Sequence, residues 1–349
     1  MAFTGWQRLP LILDSGEEVE AIAPVIVSAS RSTDIPAFYG EWFVERFSRG
    51  YVTWINPFSG RPMHVSFAKT RAAVFWTKNP RPMLRRLPDL DTLLPNYYFL
   101  FTLNDYEREG WEPQVPALDE RIDTFHALSR RLGPGRVVWR ADPLVLSDTL
   151  HVAELSARLE RIASALEGAT HKLVVSFVDI ERYPKVKRNL ARANARCRRP
   201  SGPQVHELAA TLADIGAGHG MTVATCAEEL DLREYGIEHN RCIDDALLRR
   251  EFGGDRELMA FLGEGVRDDR MDSALMKRHP LRDKGQRSRC GCIVSKDIGR
   301  YDTCPHLCVY CYANSSPQAV ARNRSEMKSG FPAVLGASPG GCSGCGQCM

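Results

Sequence analysis

Cysteine is distributed so unevenly that it divides this chain of 349 residues. Eleven cysteines occur, and eight of them fall in residues 290–349. The count is odd, and the start, MAFTGWQRLPLILDSGEEVE, lacks a basic segment followed by an apolar run. Both observations argue against a secreted disulfide framework and for a reducing, cytoplasmic setting. Clustered free thiols in such a setting point to bound metal. No stretch approaches twenty consecutive apolar residues, so no membrane partner is expected. The net charge of +3 is too small to demand a polyanion.

The first 230 residues alternate in pattern. PVIVSAS (24–30), AAVFWT (72–77), NYYFLFTL (96–103), RVVWRADPLVL (136–146), HKLVVSFVDI (171–180) and MTVATCA (221–227) read as six buried strands. Helical spacing fills the gaps at 38–50, 119–133, 151–168 and 205–220. Strand–helix alternation of this kind makes a parallel sheet. The expected class is α/β, a partial (β/α)6-type barrel over residues 1–230. Residues 231–292 read as a helix-and-loop segment. Residues 293–349 read as a C-terminal cluster-binding segment with a Cys-rich tail, in which IVSKDIGRYDT (293–303) forms one more strand and VARNRSEM (320–327) a helix.

The densest motif is Cys304-Pro305-His306-Leu307-Cys308-Val309-Tyr310-Cys311, a C-x3-C-x2-C spacing. Three thiolates on one tight loop can hold three irons of a [4Fe–4S] cluster and leave the fourth open. Zinc fits the spacing less well, because it prefers four ligands in paired C-x2-C knuckles. The motif, with an aromatic residue before its third cysteine, resembles the signature of the radical S-adenosylmethionine (SAM) enzymes. That resemblance implies Cys304, Cys308 and Cys311 as cluster ligands, SAM bound at the open iron, and Tyr310 packed on the adenine side. It also implies an electron donor such as ferredoxin or flavodoxin and a small-molecule or peptide substrate. In most of that superfamily the motif precedes the barrel. Here too few residues follow Cys311 to build one, so the order is permuted and the cluster loop closes the sheet from the C-terminal end. SASRSTDIPAFYGEWF (28–43), VFWTKNPRPML (74–84), CAEELDLREYGI (226–237), RCIDDALL (241–248) and RDKGQRSRCGC (282–292) further resemble a bacterial domain-of-unknown-function family with radical-SAM-like C-terminal cysteines. Spore photoproduct lyase is a more distant analogue.

Other cysteines suggest more metal. Cys226, Cys242, Cys290 and Cys292 make four, enough for a second iron–sulfur cluster or a zinc ion. Cys342, Cys345 and Cys348 form a ferredoxin-like triplet that could complete the Cys290–Cys292 pair instead. Cys226 also suits a buried strand-end thiol, and Cys197 is left as a free one.

Ligands of parallel α/β folds sit at the carboxyl ends of the strands. That rule selects Ser28, Ser30, Arg31 and Asp34 after the first strand, Lys78 after the second and Asn104 after the third. It then selects Arg140 and Asp142, and Glu228 after the last. Arg31 or Arg140 would take a carboxylate, and Glu228 a ribose or ammonium. The competing expectations are that Asp34 caps a helix and that Arg140 and Asp142 pair locally. The basic stretch 181–202 allows a second class of function, a metal-stabilised nucleic-acid-binding module or a DNA-repair lyase. A solvated helix and loop is the favoured reading of that stretch.

Overall fold

The computed structural model describes residues 3–263 and 280–328. The tail cysteines Cys342, Cys345 and Cys348 lie outside the described residues, so their expected metal role has no structural counterpart here.

Two sheets form. The smaller takes β1 (Gln7–Ile12), β2 (Glu18–Ala23), β4 (Tyr51–Ile55) and β5 (Pro62–Ser66), in the order β1-β2-β5-β4. Its strands are half exposed and lack continuous apolar runs. Pro10 sits in the edge strand β1, where a missing N–H is tolerated.

The larger sheet carries the site. It contains β3 (Ile26–Ala29), β6 (Ala72–Thr77), β7 (Asn96–Thr102), β8 (Val137–Leu144), β9 (Lys172–Phe177), β10 (Thr222–Thr225), β11 (Glu238–His239) and β12 (Lys296–Asp297). Its order is β11-β10-β9-β8-β7-β6-β3-β12. Every neighbouring pair is parallel. From β3 to β11 each strand lies beside its predecessor in the sheet, so the chain winds one way. The last strand, β12, returns to the far edge and pairs Lys296 with Val27 and Asp297 with Ser28. Six of these strands coincide with the apolar runs of the sequence, and β12 falls in the expected IVSKDIGRYDT segment. The sheet has one strand more than the sequence suggests because β11 is only two residues long, too short to leave a periodic signal.

Both faces of the large sheet are buried, which explains the unbroken apolar runs. One face packs Ala73, Phe75, Phe99, Trp139 and Val175 against helices Gly40–Ser48, Leu118–Leu132, Val152–Ala165 and Gly202–Gly218. Gly216 lets the last of these approach β10 closely: a Cβ there would stand 2.7 Å from Val223 Cγ2 and 2.8 Å from Met221 O. The other face packs Ile26, Val74, Tyr98 and Val174 against Cys242, Leu247, Phe252, Cys290 and Ile293. The segment after β11 is therefore the cover of that second face. Among the described residues, no helix is long and apolar enough to cross a membrane.

Candidate metal centre

The loop of residues 302–315 follows β12 and is pinned from several directions. Tyr39 Oη donates to Thr303 O at 2.5 Å, and Asn314 Nδ2 donates to Cys304 O at 2.8 Å. Asn189 Nδ2 reaches Cys311 O at 3.0 Å and Asn314 O at 2.9 Å. Trp111 O accepts from Val309 N at 2.9 Å, and His306 O accepts from Gln114 N at 3.3 Å. Within it Asp302 (φ 60°) and Leu307 (φ 56°) hold left-handed backbone, a conformation costly for residues with a Cβ. Fixing such a turn with so many bonds gives Cys304, Cys308 and Cys311 set positions. All three are free thiols. Burial pushes each of them up from the ordinary thiol range, while the Lys78 charge pulls Cys308 and Cys311 the other way.

Asp34 anchors the loop to the sheet. Its Oδ1 accepts from Ala37 N at 3.0 Å and caps helix Ile35–Phe38. Its Oδ2 accepts from Lys78 N at 2.7 Å and lies 2.9 Å from His306 Nε2. His306 Nδ1 lies 3.1 Å from Gln114 O, so both ring nitrogens face oxygen atoms.

A second buried network holds Tyr310. Its hydroxyl donates to Glu112 Oε1. Lys78 Nζ donates to the same carboxylate at 2.7 Å, and Asn104 Nδ2 does so at 3.0 Å. Arg121 Nη1 stands 3.6 Å from Glu112 Oε2. Burial alone would raise the Glu112 carboxyl, but Lys78 and Arg121 overcome it and hold the group down at about 2.

The three cysteines open on a cavity of about 340 Å³ at the carboxyl ends of β3, β6, β8 and β9, within the range of small-molecule sites. Arg31, Asp34, Lys78, Arg140 and Asp142 line it. So do Cys226, Cys242, Cys290 and Cys292, a second thiol set on the same wall. Here two sulfurs touch: Cys226 Sγ lies 3.5 Å from Cys242 Sγ, and Cys292 Sγ accepts from the backbone N of Cys242 at 3.2 Å. Arg140 Nη1 donates to Cys242 Sγ at 2.8 Å while its other nitrogen pairs with Asp142. Two polar atoms of the cavity wall, Arg31 Nη2 and Thr33 Oγ1, are buried with no hydrogen-bond partner. Among the described residues, no three or more His, Cys, Asp or Glu side chains form a ready single-ion site.

The strand-end rule selects residues of two kinds. Ser30, Arg31, Asp34, Lys78, Arg140, Asp142 and Tyr310 lie on the cavity wall. Ser28, Asn104 and Glu228 do not. Ser28 Oγ meets Ser295 Oγ at 2.7 Å, and Asn104 braces Glu112. Glu228 accepts from Phe177 N at 2.8 Å and from Arg199 Nη2 at 2.7 Å, so its carboxylate is engaged away from the cavity. Glu112 escaped the sequence reading because it follows no motif. In the basic stretch 181–202, Lys185, Lys187, Arg196 and Arg199 face Asp302, Glu181, Asp148 and Glu228.

A family model described as Domain of unknown function (DUF1848) matches residues 26–313. The match includes the whole large sheet and both thiol sets, and leaves out β1 and β2. Neither a curated protein nor a solved structure matches the chain.

Proposed function

From a chain that belongs to the DUF1848 family of unknown function, we propose a radical SAM enzyme whose cluster sits on the 304–311 loop and whose one-way sheet is the wall of a permuted partial barrel. The observation that carries this reading is the convergence of three free thiols, on one rigid loop, into a ligand-sized cavity at the carboxyl ends of a parallel sheet. The donor set fits the group. Thiolates are soft ligands suited to iron–sulfur clusters, and three of them leave one iron open. When bound, the [4Fe–4S] cluster supplies an open iron for the amino and carboxylate groups of SAM and the electron that cleaves its sulfonium bond to a 5′-deoxyadenosyl radical, which abstracts hydrogen from a substrate.

The chain's own residues would do the rest. Cys304, Cys308 and Cys311 hold the cluster. Asp34, through its bond to His306, keeps the loop fixed against the sheet. The unpartnered Arg31 guanidinium nitrogen is suited to the SAM carboxylate, and Thr33 Oγ1 to a further polar group. Lys78 is bound to Glu112, so it serves to orient Tyr310 rather than to contact SAM. Trp76, Phe177 and Val178 give the cavity apolar wall that excludes water from a reactive carbon radical. A partner that delivers electrons, such as ferredoxin or flavodoxin, completes the requirement.

The test is anaerobic purification, reduction, and chromatography of the products formed from SAM. The reading predicts 5′-deoxyadenosine from the wild type and none from Cys304→Ala/Cys308→Ala/Cys311→Ala. A colourless wild type that leaves SAM intact refutes it and returns the metal-stabilised nucleic-acid module, which salt-dependent DNA affinity would then support.

A further inference from the structure

We propose that Cys226, Cys242, Cys290 and Cys292 form a separate metal site that binds a single tetrahedral zinc ion in the cavity wall. The inference stands apart from the radical SAM reading, because it uses none of the 304–311 thiols.

Sulfur spacing is the first argument. A zinc ion with four thiolates at about 2.3 Å sets neighbouring sulfurs about 3.8 Å apart. Cys226 Sγ and Cys242 Sγ stand 3.5 Å apart, Cys242 N donates to Cys292 Sγ at 3.2 Å, and Cys290 lines the same cavity. A four-iron cube places iron and sulfide between its thiolates and spreads them. The Cys226–Cys242 contact is already close to the separation that a single ion imposes. Bringing the four sulfurs around one point takes side-chain rotation about Cα–Cβ, since all four already line the cavity.

Donors around the sulfurs are the second argument. A thiol is a weak hydrogen-bond acceptor, so several N–H groups aimed at two sulfurs suit thiolate. Cys292 Sγ accepts from Cys242 N at 3.2 Å and from Ile243 N at 3.4 Å. Cys242 Sγ accepts from Asn240 Nδ2 at 3.3 Å and from the buried Arg140 at 2.8 Å. Zinc with four thiolates carries two negative charges, and the guanidinium groups of Arg31 and Arg140 are placed to offset them. Ala227, directly after Cys226, takes a left-handed φ of 56°, a strained backbone of the kind that clusters at functional sites.

The site has a purpose in the fold. Cys226 follows β10 and Cys242 follows β11, whereas Cys290 and Cys292 belong to the segment that covers the second face of the large sheet. A shared ion would fasten that cover to the strand ends and fix one wall of the cavity.

The test uses the full chain purified anaerobically, with metals measured by mass spectrometry. The proposal predicts about one zinc per chain in the wild type. It predicts loss of at least about 10-fold in Cys290→Ala/Cys292→Ala, and unchanged zinc in Cys304→Ala/Cys308→Ala/Cys311→Ala. Because the double variant can fail to fold, the wild type is also loaded with Co(II) after chelation. Strong sulfur-to-cobalt charge transfer with tetrahedral visible bands supports the site. A wild type without zinc, zinc lost equally from both variants, iron held by these four cysteines, or a Cys226–Cys242 disulfide overturns it.

Discussion

Two sets of cysteines share one cavity and are built in opposite ways. Cys304, Cys308 and Cys311 come from eight consecutive residues, on a loop held by bonds to its own backbone. Cys226, Cys242, Cys290 and Cys292 come from three separate segments, and only the parallel sheet and its cover bring them together. In the second set Cys226 Sγ and Cys242 Sγ already touch, and the backbone of Cys242 donates to Cys292 Sγ. A local motif can preset the open spacing that a cluster needs. A closely packed tetrahedron of sulfurs can be assembled from distant segments, provided the tertiary structure is rigid where they meet.

That contrast is open to direct attack. The largest effect is expected on the local loop. Replacing Cys304, Cys308 and Cys311 by alanine should lower 5′-deoxyadenosine formation by roughly 100-fold or more, as read by chromatography. Activity kept within a few-fold would separate the chemistry from this loop.

Next comes the support of Tyr310. Glu112 sits near 2 in the folded protein, against 4.5 for an unperturbed carboxyl. A carboxyl depressed on folding stabilises the protein above its unfolded value, and that contribution disappears as pH falls through the folded value. Glu112→Gln should therefore cost on the order of 3 kcal/mol at pH 7 in urea unfolding. The gap to wild type should shrink as pH falls from about 4.5 toward 2. A gap that stays constant with pH would mean that the charge of Glu112 does not matter.

The distributed set should answer to a smaller change. Arg140→Lys keeps the charge but loses the planar fork shared between Cys242 and Asp142. Zinc affinity measured by chelator competition should fall by about 10-fold, with iron content unchanged. The mildest effect is expected at Asp34→Asn, where one of the two accepting oxygens is lost. It should lower thermal stability by about 1 kcal/mol and speed iron loss to a chelator, leaving zinc in place.

Much of this was legible in the sequence, for reasons that differ by residue. Six strands of the large sheet announced themselves because strands buried on both faces are largely apolar, as AAVFWT and NYYFLFT are. The strands of the small sheet did not, since β1 and β5 are half exposed and carry prolines. C-x3-C-x2-C could be read as a cluster loop because its ligands are adjacent. Which of the remaining cysteines stand together could not be read, since Cys226 and Cys292 meet only through the sheet. The strand-end rule selected Arg31, Lys78, Arg140 and Asp142, which reach the cavity, alongside Ser28, Asn104 and Glu228, which do not. Most of these residues lie in the loops just beyond the strands, where the direction of a side chain is set by its partners: Asn104 turns to Glu112, and Glu228 to Phe177 N and Arg199. Glu112 had no motif at all, and its importance comes from the cations that surround it.

Low-temperature electron paramagnetic resonance of the reduced protein, with and without SAM, addresses the central claim most directly. A three-thiolate cluster with an open iron predicts a reduced-cluster signal from the wild type that shifts when SAM is added and is missing from Cys304→Ala/Cys308→Ala/Cys311→Ala. A reduced signal unmoved by SAM, or one that survives loss of these three thiols, would contradict the account.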